Sequence, residues 1–228
     1  MTPKPNVVLV HGAWADGSSW SKVIPLLQAA GHNVVAVQNQ MQSLDGDSAN
    51  TRATIDAMSG PTIVVGHSYG GAVMTSAAAG ASNVAGLVYI AAYAPDEGET
   101  LGGLGTKFAA PSGLQYIAPG PGGLLYIDRA HMPQAFATDA SPGDGAILAA
   151  TQRPISGALF TDKMGTPAWK QFKSWYQVSS NDLMISPDLQ RFFAARAGSK
   201  TISLPSSHAS LVAHPKEVAA LILEACAG

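Results

Sequence analysis

The chain has 228 residues, of which 46% are hydrophobic and 12% are charged, and its formal net charge at pH 7 is −2. This length and composition predict one compact α/β domain with a full core, and they exclude a chain that is mostly disordered. Because the net charge is close to zero and the basic residues are scattered, the sequence indicates neither nucleic acid nor an anionic membrane surface as a partner.

A single cysteine limits the covalent and metal chemistry of the chain. Cys226 is the only cysteine, so neither an intramolecular disulfide nor a cysteine-based metal site can form. We interpret Cys226 as a small packed side chain, and we expect neither a metal nor a cofactor.

The start of the chain and the length of its apolar runs indicate where in the cell the protein is expected. A predicted strand begins within a few residues of Met1, which leaves no room for a signal peptide. No apolar stretch approaches the roughly 18 residues that are needed to span a bilayer. A cytoplasmic location without membrane contact is therefore the expectation.

Short, continuous apolar runs recur along the chain and predict the strands of a sheet. The first run, residues 6–10, ends at His11-Gly12. The others lie at 33–37, 62–65, 86–90, 173–178 and 200–204. Runs of this kind, without polar alternation, are typical of strands that are buried on both faces of a parallel sheet.

Helical segments alternate with these strands. Ser18 or Ser19 is predicted to cap a helix that ends at Gly31, in which Pro25 indicates a kink or a late start. Further helices are predicted at 48–58 and 72–79 and behind Pro142, Pro167, Pro187 and Pro215. The last helix carries an apolar stripe formed by Val218, Leu221, Ile222 and Ala225.

The most specific local pattern is Gly66-His67-Ser68-Tyr69-Gly70, between the apolar run 62–65 and a run of small residues. A serine in a G-x-S-x-G pattern between a strand and a helix is typical of a nucleophile elbow, a sharp turn that leaves the hydroxyl exposed above the sheet. Gly66 and Gly70 avoid collisions with the adjacent strand and helix. The flanking runs favour this interpretation over an ordinary strand-to-helix turn, and Ser68 is the predicted nucleophile.

The alternation of strands and helices breaks after Ala94. Residues 95–123 are rich in glycine and proline, which predicts a folded-over loop segment without regular elements. We interpret about 95–168 as a lid inserted into a single domain that spans residues 1–228. A second small domain is the alternative, but the segment lacks a periodic core of its own. Candidate substrate contacts are Trp14, Phe108, His131 and Met132.

A serine hydroxyl is a poor nucleophile at neutral pH and needs a general base, whose orientation a third group fixes. The chain has six histidines. His208 fits the base because it follows the strand that ends at Leu204 and lies in the loop before the last helix. The histidines that we interpret as structural are His11, His32, His67 and His214.

Asp182 is the predicted partner of the base. It lies in the loop after the strand that ends at Val178, so serine, acid and histidine occupy successive loops. Asp96, at the end of an earlier strand, is the competitor. An oxyanion hole needs backbone N–H groups aimed at the developing negative charge. The candidates are the N–H of Tyr69, directly after the nucleophile, and that of Ala13, after the first strand.

Four blocks of sequence, in this order, resemble the α/β-hydrolase superfamily. They are His11-Gly12-Ala13-Trp14 with Gly17 and Trp20, then 66–71, 182–190 and Ser207-His208. The chain is similar to the branch that holds plant methyl esterases, hydroxynitrile lyases and many small bacterial esterases, and the resemblance covers almost everything outside 100–165. It implies the α/β-hydrolase fold and the roles already assigned to Ser68, His208, Asp182, Ala13 and Tyr69.

Two departures from the family pattern sharpen these expectations. The chain opens on the strand before His11-Gly12, so the usual first two strands are missing and a six-stranded, all-parallel sheet flanked by helices is expected. Hydroxynitrile lyases place a lysine directly after the catalytic histidine, whereas this chain has Ala209. The alanine argues against lyase chemistry.

The sequence thus predicts a serine hydrolase that cleaves small, largely apolar carboxylic esters through an acyl-enzyme intermediate. The same triad would also suit an acyltransferase or perhydrolase, or a lactonase. A ligand-binding receptor of this fold that turns over slowly is a further alternative. A small-molecule ester is the expected partner, and the sequence predicts no oligomeric state.

Overall fold

The computed structural model describes residues 4–228. Its strands are β1 (Asn6–Val10), β2 (Val34–Ala36), β3 (Thr62–His67), β4 (Val84–Ile90), β5 (Ile117–Pro119), β6 (Leu125–Ile127), β7 (Ser174–Ser179) and β8 (Lys200–Leu204). Six of them form one sheet in the order β2-β1-β3-β4-β7-β8, and every neighbouring pair is parallel. The predicted six-stranded, all-parallel sheet is confirmed.

The strand register brings the carboxyl ends of the central strands to one edge of the sheet. Val10 pairs with Gly66, His67 with Ile90, and Ile90 with Gln177. Strands β1, β3 and β7 are buried at every residue, as their continuous apolar runs predict. Side chains in the loops that follow these strands therefore lie close together above this edge, although they are far apart in sequence.

Helices cover the sheet and fill the connections between its strands. They are α1 (Ile24–Ala29), α2 (Leu44–Asp56), α3 (Tyr69–Ala77), α4 (Leu101–Gly105), α5 (Met132–Phe136), α6 (Pro142–Thr151), α7 (Pro187–Arg196), α8 (Ser210–Ala213) and α9 (Pro215–Ala227). Helices α6, α7 and α9 begin at their prolines, as predicted. The predicted apolar stripe of α9 is buried along its length.

Two helices begin elsewhere than predicted because other side chains cap them. The first is split into a 3-10 turn, Gly17–Trp20, and α1, and the turn is capped by Asp16, which accepts a hydrogen bond from the Ser18 N–H at 2.8 Å. Pro25 lies in the first turn of α1, which confirms the late start. Helix α2 begins before residue 48 because Ser43 Oγ accepts from the Gly46 N–H at 3.1 Å.

The segment between β4 and β7 contains more regular structure than predicted. Helix α4 and strand β5 lie within 95–123, where no regular element was expected. Strand β5 pairs with β6 as an antiparallel hairpin, and Gly122 and Gly123 adopt positive φ angles of 70° and 72° in its turn. Behind Pro167 only a short 3-10 helix forms. The buried side chains of the segment belong to the same hydrophobic cluster as the sheet.

Candidate active site

Ser68 occupies the turn between β3 and α3 and has backbone angles of φ 53° and ψ −124°. A non-glycine residue in this left-handed region is uncommon and is held there by its surroundings. A Cβ atom on Gly66 would lie 2.5 Å from the Gly70 carbonyl oxygen, and one on Gly70 would collide with the carbonyl oxygens of Val10 and His11. The glycines therefore allow the tight packing that sharpens the turn.

His208 and Asp182 form a buried pair beside this turn. His208 Nδ1 lies 2.7 Å from Asp182 Oδ2, and the two side chains are 1% and 0% exposed. A carboxylate in contact with Nδ1 favours the tautomer that carries its proton there, which leaves Nε2 free to accept a proton. Among the described residues Ser68 Oγ makes no hydrogen bond to His208, but both side chains line one cavity.

Asp182 is held by further donors that are buried with it. Its Oδ1 accepts from the Met184 N–H at 2.7 Å and the Ile185 N–H at 3.0 Å, and Gln190 Nε2 donates to Oδ2 at 2.7 Å. Gln190 Oε1 in turn accepts from the Ser179 N–H at 2.9 Å, at the end of β7. The carboxylate orientation is thus fixed from both the strand and the following helix.

The cavity beside Ser68 is largely apolar and, with the solvent-open space at its mouth, occupies about 410 Å³. Besides Ser68 and His208 its walls are formed by Ala13, Trp14, Tyr69, Tyr93, Leu101, Leu114, Ile155, Leu159, Phe160, Met184 and Ile185. None of the Asp, Glu, Lys or Arg residues in the range 4–228 lines it. Several of its walls come from the segment between β4 and β7.

The backbone N–H groups of Ala13 and Tyr69 lie at the same cavity. Tyr69 is the first residue of α3, where an N–H has no partner within the helix. In the described part of the chain neither N–H donates to another backbone group, and both residues line the cavity wall. Two such donors beside a serine suit the stabilisation of an oxyanion.

His11 holds the peptide group that carries the Ala13 N–H. Its Nδ1 lies 3.0 Å from the Gly12 carbonyl oxygen, and its Nε2 accepts from the Asn39 N–H at 3.1 Å. Burial lowers the pKa of His11, which favours this neutral form with one donor and one acceptor. Because a carbonyl and the following N–H point in opposite directions in one planar peptide, fixing the Gly12 oxygen also fixes the direction of the Ala13 N–H.

Tyr69 is anchored by Asp47, a contact that the sequence did not indicate. The Tyr69 hydroxyl donates to Asp47 Oδ2 at 2.9 Å, while Oδ1 accepts from the N–H groups of Gln40 and Met41 at 2.9 and 3.1 Å. Burial raises the pKa of the Asp47 carboxyl against these hydrogen bonds, and burial together with Asp47 raises the pKa of Tyr69. The pair fixes the residue that follows Ser68.

His67 links the serine turn to the loop that carries His208. Its Nε2 lies 2.9 Å from the His208 carbonyl oxygen, and the two rings lie 4.7 Å apart between centroids. Burial lowers the pKa of His67 well below 6.5, and the neighbouring His208 lowers it further. A neutral His67 can donate to this carbonyl, so it acts as a structural contact directly beside the site.

The remaining candidates lie away from the cavity wall. The rings of Phe108 and Phe192 pack at a tilt with centroids 6.2 Å apart, and Met132 is buried in the core. His131 lies on the surface, where it contacts Asp128 at 2.8 Å and stacks on Tyr116. Asp96, the competitor of Asp182, pairs with Lys170 on the surface. Of the four candidate substrate contacts, only Trp14 lines the cavity.

Sequence reasoning missed Gln190, Asp47 and the role of His11. Gln190 carries the one usable signal, because it lies eight residues after Asp182 on the helix that the Asp182 loop opens. Asp47 carries no such signal in the sequence, since acidic residues are common in the first turn of a helix. Within residues 4–228 no group of three His, Cys, Asp or Glu side chains could hold a metal ion. Nor is any helix of that range long and apolar enough to cross a membrane.

Comparisons with known proteins agree with this architecture. The carbendazim hydrolyzing esterase of a Nocardioides species is 34% identical over 119 residues, which are 46% of this chain and 49% of the relative. Salicylic acid-binding protein 2 of Nicotiana tabacum is 26% identical over 253 aligned positions, which cover 96% of each chain. The chain thus spans about half the length of the first of these relatives and nearly all of the second.

A solved structure and a family model extend the likeness to the whole fold. The crystal structure of a pyrethroid hydrolase from Sphingobium faniae superposes with a TM-score of 0.85 at 24% identity and covers 98% of both chains. The sequence model of the alpha/beta hydrolase family matches residues 7–221. With the parallel sheet, the serine elbow and a match over nearly the full chain, this protein belongs to the alpha/beta hydrolase family.

Proposed function

We propose that the protein is a serine hydrolase that cleaves small, largely apolar carboxylic esters through an acyl-enzyme intermediate. The observation that carries the proposal is the convergence of Ser68, the buried His208–Asp182 pair and two unpaired backbone N–H groups on one apolar cavity. Relatives named as esterases support it.

Acylation begins when Ser68 Oγ attacks the ester carbonyl and His208 Nε2 takes the hydroxyl proton. The carbonyl oxygen becomes negatively charged and accepts hydrogen bonds from the N–H groups of Ala13 and Tyr69, each worth roughly 3 kcal/mol. Asp182 stabilises the imidazolium. His208 then gives its proton to the alcohol oxygen as the carbon–oxygen bond breaks, and the alcohol leaves.

Deacylation repeats these steps with water as the nucleophile. His208 takes one proton from water, the resulting hydroxide attacks the acyl carbon, and the same two N–H groups hold the oxyanion. Collapse of the intermediate breaks the bond to Ser68 Oγ, which recovers its proton from His208. The products are a carboxylic acid and the free enzyme.

The cavity supports an apolar substrate of modest size. Its walls of Leu114, Leu159 and Phe160 offer contact to alkyl or aromatic groups, and the absence of charged side chains among the described wall residues disfavours charged substrates. Ala209, which is fully buried, offers no ammonium beside His208. The missing ammonium favours hydrolysis over the lyase chemistry that a lysine at this position would support.

The Ser68→Ala variant tests the proposal. Without the nucleophile, turnover of p-nitrophenyl acetate and butyrate should fall by about 10⁶-fold, because the acyl-enzyme cannot form. A Ser76→Ala variant, on the same helix and away from the cavity, should keep wild-type rates. Hydrolysis that survives in Ser68→Ala at the wild-type rate would refute the assignment of the nucleophile.

A further inference from the structure

A second cavity adjoins the catalytic cavity, and a single residue lines both. It lies between the 3-10 turn at Gly17–Trp20 and helix α6 and, with the solvent-open space at its mouth, occupies about 500 Å³. Among the described residues Trp14 is the one that lines both cavities. Ala13 faces the first cavity and Ala15 the second, so the chain passes between them at Trp14.

Trp14 is held in place more firmly than a surface loop residue would be. Its side chain is 5% exposed, and its indole N–H donates to the Leu125 carbonyl oxygen at 3.1 Å. Its backbone φ is 58°, a left-handed conformation that is rare for a bulky side chain. Phe160 packs near the ring, with centroids 6.3 Å apart. These contacts fix the indole beside Phe160, which lines the catalytic cavity, while Trp14 also lines the second cavity.

The second cavity has the chemistry of a pocket for the end of a hydrocarbon chain. It presents more apolar than polar surface, and its apolar lining includes Leu148 and Val212, which are both buried. The same lining carries Asp16, Thr151, serine hydroxyls and the Lys22–Asp144 ion pair, whose Nζ and Oδ2 atoms lie 2.7 Å apart. An alkyl chain that extended from the catalytic cavity could therefore pack on the Leu148 and Val212 side chains.

We propose that the Trp14 indole is the wall that limits the length of the substrate chain, and that its removal joins the second cavity to the catalytic one. The inference rests on the proposed ester hydrolysis for its kinetic readout. The wild-type protein accordingly takes esters with short chains. A smaller residue at this position admits long-chain esters, whose chain ends occupy the second cavity.

The test compares kcat/KM for p-nitrophenyl acetate, butyrate, octanoate and decanoate. Trp14→Gly is the main variant because glycine adopts the positive φ without strain, and Trp14→Leu shortens the side chain while keeping an apolar wall. The octanoate-to-acetate ratio of kcat/KM should rise about tenfold or more in Trp14→Gly and by less in Trp14→Leu. Trp14→Phe retains an aromatic wall and should keep the wild-type ratio.

Two controls distinguish removal of the Trp14 wall from a general loss of activity. Trp169→Phe removes an indole that packs on Arg196, away from both cavities, and should leave the ratio unchanged. In Trp14→Gly, a second substitution, Leu148→Trp, refills the second cavity and should return the ratio toward the wild-type value. Ratios unchanged in both Trp14→Gly and Trp14→Leu would overturn the proposal, even if all rates fall equally.

A binding measurement keeps this inference distinct from the proposed function. Calorimetric titration with 1-butanol and 1-octanol, neutral ligands with alkyl chains of different length, requires no turnover. 1-Octanol should gain affinity relative to 1-butanol in Trp14→Gly, and an unchanged affinity ratio would contradict the wall. If the wild type shows no Ser68-dependent hydrolysis, the esterase assignment is refuted, whereas the titration still tests whether Trp14 is a wall.

Discussion

At the scale of single residues, the candidate site depends on side chains that never face the cavity. Gln190 is fully buried and binds both Asp182 and the backbone N–H of Ser179. One amide group therefore connects the carboxylate to the end of β7. An amide is suited to this position because it donates to the carboxylate and accepts from the N–H at the same time.

Replacing Gln190 with leucine should lower kcat by about 10- to 100-fold, with a smaller change in KM, because Asp182 loses a donor that orients it. The free energy of unfolding should also fall by about 1–3 kcal/mol, since the Ser179 N–H is left buried without a partner. Steady-state kinetics and urea unfolding measure the two effects. Gln171→Leu, which removes a surface contact to Gly80, is the control, and equal losses in both variants would contradict the role.

Sequence patterns predicted those residues of the candidate site whose positions follow from the order of strands and loops along the chain. Ser68, Asp182 and His208 each follow an apolar strand, and parallel strands bring such positions to one edge. Asp47 could not be found in this way, because its contact with Tyr69 joins residues on different helices whose relative rotation depends on packing. The roles of all these residues in catalysis stay predictions.

At the scale of elements, the segment after α5 supports the loop that carries His208. Asp139 accepts a hydrogen bond from the Ser207 N–H at 3.0 Å and another from the Ser207 hydroxyl. His214 Nε2 lies 3.0 Å from the same carboxylate, and the Ala209 N–H donates to the Phe136 carbonyl oxygen at 3.0 Å. Ser207 is thus attached to this segment, and Ala209, on the other side of His208, is attached to the last residue of α5.

An Asp139→Ala variant should lower kcat by about tenfold, because Ser207 is released and the adjacent imidazole loses its fixed position. Asp139→Asn, which can still accept one hydrogen bond from Ser207, should fall between the wild type and Asp139→Ala. The kinetics of all three proteins on p-nitrophenyl butyrate provide the measurement. A wild-type kcat in Asp139→Ala would mean that the loop holds its position without this contact.

Elements were predicted best where the pattern was long and continuous. The buried strands and the helices behind prolines follow from apolar runs and from fixed backbone angles. The β5–β6 hairpin was missed because each strand has three residues and its turn is built from glycine and proline, which locally predict only a loop. The pairing of the two strands depends on contacts outside the hairpin, such as the bridge from Leu125 to Ile155.

At the scale of the whole molecule, buried neutral histidines make stability depend on pH. Burial lowers the pKa of both His11 and His67, whereas in the unfolded chain each titrates near 6.5. Below pH 6.5 the unfolded state therefore binds more protons than the folded state. The free energy of unfolding must decrease as pH falls from 6.5 toward the lowered pKa values.

This pH dependence predicts that urea unfolding at pH 7.5 gives a higher stability than unfolding at pH 5.5. A His67→Gln variant, which keeps a donor for the His208 carbonyl but cannot be protonated, should lose less stability over that interval than the wild type. His32→Gln is the control, because the His32 side chain lies at the partly exposed amino end of β2. An equal loss of stability between pH 7.5 and pH 5.5 in the wild type and in His67→Gln would contradict the view that His67 is buried in its neutral form.

The position of β8 links the order in which the chain is synthesised to the point at which the candidate site is complete. This strand is the last in the chain and lies at the edge of the sheet, where it pairs only with β7 and is mostly exposed. A nascent chain presents Ser68 early, but His208 reaches it only after β8 has docked. In the proposed esterase, activity would therefore report on the docking of this exposed edge strand, and local opening of β8 would abolish that activity well before the whole protein unfolds.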